Sequence, residues 1–144
     1  MRYSPMKVPD LRSPSEQVEG IVYFGRMLDK IRLHRAGKLP AEYHANLGGG
    51  FDERCVHFLR VSYHDLVDRV ASGASDEEVL AWVFTAGRQP DEEEIEVWNE
   101  FMRKRGWNDE GSPTLTKRKI EGGFQDRADI QTFFQFIDAD EGRL

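Results

Sequence analysis

The chain has little of what makes chemistry visible in a sequence. It holds one cysteine in 144 residues, so Cys55 can form no internal disulfide, which suits a reducing compartment. Its four histidines, His34, His44, His57 and His64, make no H-E-x-x-H and no i, i+4 pair among themselves, and Cys55 stands outside any C-x-x-C. No metal is therefore expected. No apolar run approaches the length of a membrane span, and the leading MRYSPMKVPDLRSPSEQ lacks the apolar centre of a secretory signal. The expectation is no membrane and a cytoplasmic location. Positive charge is in deficit, 20 basic against 26 acidic residues for a net −6, which argues against a nucleic-acid partner. Gly48-Gly49-Gly50 lacks the G-K-[ST] ending of a phosphate loop, and Asp52-Glu53 would repel phosphate. It reads as a turn, and no cofactor is expected.

What is present is helical. With 39% hydrophobic and 32% charged residues, the chain suits one globular domain long enough to bury a core. Residues 1–12 carry Pro5 and Pro9 without periodicity and read as an extended arm, leaving 13–144 as the domain. Ser13-Pro14-Ser15-Glu16 has the form of a capping box, so a first helix is expected from there to about Arg35, ending at Gly37. Asp52 is expected to cap a second helix, Ser62 a third and Ser75 a fourth, and Pro90 to open a fifth, which ends at Gly106. Residues 106–125 read as a loop with one turn of helix near Leu115–Ile120. A last helix carries Phe133, Phe134 and Ile137, with Ile130 in the same period. Strand alternation and internal repeats are missing. The expected fold is all-α, a compact bundle of about six helices, partly orthogonal in packing. Most of Trp82, Phe84, Trp98, Phe101, Phe133, Phe134 and Phe136 should line its core.

The order Leu11-Arg12-Ser13-Pro14, the run Arg26-x-x-Asp29-Lys30-x-Arg32, Gly37 followed by Tyr43, Trp98-Asn99, and the ending Thr132-Phe133-Phe134…Asp138…Asp140 together resemble the bacterial family called domain of unknown function 5069. That resemblance implies a small, stand-alone helical protein of bacterial type. It supplies no reaction, so whether the chain is an enzyme stays open.

One feature demands a physical explanation. At 100° per residue Asp29 falls on the same stripe as Val18, Ile21, Val22, Gly25 and Arg32. A carboxylate on a buried face is costly unless paired. Arg26 and Arg32 lie three residues to either side of it, with Lys30 beside it. Two readings follow. In one, Arg26, Asp29, Lys30 and Arg32, joined by Tyr43 and His44 from the following loop, bind an anionic metabolite, and His44–Asp29 could act as an acid–base couple. In the other, Asp29 is a structural ion-pair partner, held by Arg26, Arg32 or the 38–50 backbone, which is the commoner arrangement. Residues 75–100 carry nine acids and one arginine, while 101–120 carry six basic and two acidic residues. Trp107 in the basic stretch could stack on a nucleotide but is expected to close over the core. With no nucleophile–base pair visible, a binding or interaction module ranks ahead of a small enzyme or sensor, and a homodimer is left open.

Overall fold

The computed structural model describes residues 7–144, so Pro5 and the first half of the expected arm lie outside the described residues. Two short strands, β1 (Gln17–Val18) and β2 (Ile21–Val22), precede α1 (Phe24–Arg35). A 3-10 helix (Ala41–Asn46) follows, then α2 (Phe51–Leu59), α3 (Tyr63–Ala71), α4 (Asp76–Ala86), α5 (Glu92–Lys104), α6 (Ser112–Gly122) and α7 (Phe133–Asp140). The fold is all-α apart from this two-stranded ladder.

The ladder corrects the expected first helix, which begins ten residues later than a cap at Ser13 implies. Val18 pairs with Ile21 and Gln17 with Val22. The connecting Glu19 and Gly20 have φ of 47° and 84°, the signature of a two-residue hairpin turn that needs both central residues left-handed. Gly20 makes that turn cheap and would have weakened a helix interior by about 1 kcal/mol. The β-branched Val18, Ile21 and Val22 suit strands. In place of a capping box, the Ser13 hydroxyl accepts from the Ser15 amide and the Ser13 carbonyl from the Glu16 amide, closing a turn. The open ladder edge is met by α5: Asn99 Oδ1 accepts from the Val22 amide at 3.1 Å, its Nδ2 donates to the Gly20 carbonyl at 2.7 Å, and the Trp98 indole donates to the Val22 carbonyl.

Local signals place most other helix starts. Ser62 caps α3, and Ser75–Glu78, Asp91–Glu94 and Thr132–Gln135 each form a reciprocal capping box. Gly50, not Asp52, is the residue before α2, and Asp52 lies inside the helix with no exposure. The expected 106–125 loop contains three turns of α6, with Pro113 in its first turn. Gly87, closing α4, allows a close approach to the end of α2. A Cβ there would clash with the Leu59 carbonyl oxygen.

The core gathers Phe24, Met27, Leu28 and Ile31 from α1 with Leu59, Leu66, Leu80, Val83, Trp98, Met102 and Phe134. A smaller cluster joins Val8 and Leu11 to Leu33 and Leu39, with Tyr43 against it. Of the seven aromatics expected inside, only Trp98 and Phe134 are buried. Trp82, Phe84, Phe133 and Phe136 are half-buried, and Phe101 is exposed. Short helices cannot enclose that many large rings, so most cover the core rather than fill it.

Candidate functional site

Every residue from Ile21 to Ile31 is buried, so the first two turns of α1 have no solvent face. A helix in that position is ordinarily apolar all round. This one carries Arg26, Asp29 and Lys30, and each meets an opposite charge supplied by another part of the chain.

Asp29 is taken by Arg12. The Arg12 Nε and Nη2 donate to the two carboxylate oxygens at 2.8 and 2.9 Å, and the Arg12 backbone amide adds a third bond at 3.0 Å. Arg12 also reaches Asp76 at 2.8 Å, which in turn accepts from Arg32 at 2.7 Å, while Arg32 stays 3.7 Å from Asp29. The fork geometry of a guanidinium suits such bidentate pairing. Hydrogen bonding to Asp29 raises the pKa of Arg12 despite burial. Burial opposes ionisation of Asp76, but Arg12 and Arg32 together hold its pKa below the usual value. Gly25 is what lets Arg12 lie here: a Cβ at Gly25 would stand 2.7 Å from the guanidinium carbon, and the Gly25 carbonyl accepts from Arg12 Nη2.

Arg26 forms a fork with Glu141, at 2.8 and 2.7 Å, and donates to the Arg12 carbonyl. Tyr43 donates its hydroxyl to the same Glu141 at 2.8 Å, and Arg143 bonds Glu141, Asp138 and the Leu11 carbonyl. Burial alone would raise the pKa of Glu141; its hydrogen bonds and charge contact with Arg26 turn the shift downward. Lys30, one turn after Arg26, lies 2.9 Å from Asp52, which also accepts from the Tyr23 hydroxyl at 2.6 Å and the Gly48 amide at 3.0 Å. Burial lowers the pKa of Lys30 against the pull of Asp52. It raises that of Tyr23, and the Asp52 charge raises it further. Tyr23 holds its place at a φ of 74°, a left-handed conformation that persists for an aromatic residue only where packing and hydrogen bonds over-determine it.

The expected site residues are thus distributed differently from the helix-surface picture. Arg26 pairs with Glu141 rather than Asp29. Arg32 serves Asp76 first, and Lys30 belongs to a separate cluster. Tyr43 reaches the Arg26 group, but His44 does not join it: its Nε2 donates to the Leu39 carbonyl and its ring stands edge-on to His34. No acid–base couple forms between His44 and Asp29. Arg12, Asp52, Asp76 and Glu141 are partners that residue spacing does not reveal. The available signal was arithmetic: a helix with three internal charges requires three counter-charges from elsewhere.

The outer surface offers other features. A groove of about 870 Å³ lies between residues 106–119 and 128–131. Trp107 lines it with 55% of its surface exposed, contrary to the expectation that it closes over the core. Lys119 in this groove donates to the Arg127 and Ile130 carbonyls, tying down the α6–α7 connection. Among the described residues, His64, Asp65 and Asp68 can bring three ligand atoms within 4.8 Å. They are exposed and sit on the first turns of α3, where the helix dipole disfavours a cation. No helix of the described residues is long and apolar enough to cross a membrane.

The model of the family described as domain of unknown function (DUF5069) matches residues 8–143. The chain belongs to that family. No curated protein gives a match. In this DUF5069 chain the match begins at Val8, ahead of Arg12, and runs past Glu141, so both terminal counter-charges of α1 fall within the family's span.

Proposed function

We propose that this DUF5069 chain is a binding or interaction module without catalysis of its own, whose α1 charges hold the fold together and whose recognition is carried by the outer surface. The observation that supports this reading is that every ionised side chain of the buried cluster is already matched. Arg12 and Arg32 face Asp29 and Asp76, Arg26 and Arg143 face Glu141 and Asp138, and Lys30 faces Asp52. A small anion at Arg26, Asp29, Lys30, Arg32 and Tyr43 would have to displace one of these carboxylates, and its gain would be offset by a stranded buried charge. The buried, unpaired Cys55 fits the reducing, cytoplasmic, bacterial setting included in the proposal.

The test is a thermal-shift screen with inorganic phosphate, sugar phosphates and di- and tricarboxylates at millimolar concentration. A ligand of the native state raises the melting temperature. No shift is expected. A rise of several degrees that Arg32→Lys abolishes, in a variant that still folds, would replace this reading with an anionic-metabolite site.

A further inference from the structure

The exposed side of α5 has a pattern that matches itself when reversed. Trp98 and Met102 bury one side of this helix. On the other, Glu93, Val97, Phe101 and Lys104 follow at helical spacing, all exposed, with Val97 at 63% and Phe101 at 38%. The acids stand at the N-terminal end, with Glu92 and Glu96 exposed beside Glu93, and the bases Arg103 and Lys104 at the C-terminal end. Phe101 is flanked by two further cations, Arg54 at 5.2 Å from its ring and Arg105 at 5.5 Å. Among the described residues neither Arg54 nor Glu93 pairs with an opposite charge, Lys104 has only the half-buried Glu100, 3.0 Å away on its own helix, and Arg105 has Asp109 at 3.5 Å.

We infer that this face of α5 binds a second copy of the chain, α5 against α5, antiparallel about a two-fold axis; the inference rests on the reading of the chain as an interaction module. Antiparallel pairing sets Val97 of each copy on Phe101 of the other. It also brings Glu93 of each copy to the Lys104, Arg105 and Arg54 end of its neighbour, so one surface supplies both halves of an isologous contact. A uniformly basic or acidic partner would match one end and be repelled by the other, whereas the reversed copy matches both. The helix is 13 residues, or about 20 Å, in length. One helix face per copy lies at the small end of specific interfaces, so the dimer is weak and concentration-dependent. Its charged ends are exposed, so salt weakens it.

Sedimentation velocity on the full chain from about 5 to 500 μM, at low and high salt, should show a reversible monomer–dimer equilibrium favoured at low salt. Val97→Glu, at an exposed position, should abolish the dimer without lowering the melting temperature. Glu93→Lys should weaken association by roughly tenfold, and Glu93→Lys combined with Lys104→Glu should recover most of that loss, because the reversed charges meet again. A chain that remains monomeric throughout would overturn the inference, as would a dimer indifferent to Val97→Glu or a double variant no tighter than Glu93→Lys alone. None of these results alters the outcome of the anion screen, which tests the module reading separately.

Discussion

Gly25 and Arg12 form a pair in which one residue's missing side chain makes room for the other's charge. Alanine in place of a helical glycine ordinarily stabilises by about 1 kcal/mol. Here the added methyl would push the Arg12 guanidinium off Asp29 and the Gly25 carbonyl. Gly25→Ala is therefore expected to destabilise by about 1–2 kcal/mol net of the propensity gain. In an Arg12→Ala background the obstacle is gone, and the same substitution should stabilise by about 1 kcal/mol. Urea unfolding of the four proteins in this double-mutant cycle measures the change of sign. Glu141 makes a second prediction. Its folded-state pKa lies below its unfolded value of about 4.3, so its contribution is fully present above that value and is lost as pH falls through the lower folded one. Glu141→Gln should cost about 3 kcal/mol at pH 7 by stranding Arg26. Its stability should then fall less steeply than the parent's between pH 5 and 3, with Asp76 supplying part of the remaining slope. Urea midpoints across that range test both.

At the scale of elements, the β1–β2 ladder is held by two side chains of α5, Asn99 with two bonds and Trp98 with one. Asn99→Ala would free the Val22 amide and Gly20 carbonyl together. Loss of two part-buried bonds is expected to cost about 2 kcal/mol, readable as a lower urea midpoint and faster hydrogen exchange at Val22. Helix starts such as Ser75 and Ser62 are legible in the sequence because a cap and the amide it binds are three residues apart. The hairpin was hidden because Glu19-Gly20 is a less familiar turn pair than Asn-Gly, and because Val18 and Ile21 also fit a helical period. α6 was hidden by its glycines, two of which bound the helix rather than break it. Asp29 is buried, as its place on the apolar stripe predicts, although Val18–Val22, which helps define that stripe, is not helical. Its partner lies 17 residues away and that of Arg26 lies 115 away, separations at which residue spacing says nothing about contact.

For the molecule as a whole, the charged interior makes the two ends of the described chain meet. Ser13 donates to Asp138, Arg143 to the Leu11 carbonyl, and Arg26 bonds both Arg12 and Glu141. Hydrophobic burial alone tolerates many alternative packings, whereas a buried fork such as Arg26–Glu141 tolerates few. The charges of α1 therefore restrict which segments can surround it, an expense in stability that favours one register over its neighbours.

The same closure governs when the protein can fold. On the ribosome α1 emerges before its partner, and Arg26 has no counter-ion until Glu141 has been added 115 residues later. At about 5–20 residues per second that interval lasts roughly 6–23 s. During it, α1 cannot be enclosed without an uncompensated cation. Nascent chains of this protein should stay open to protease around α1 until Glu141 has left the ribosome, with native packing of α1 following that point.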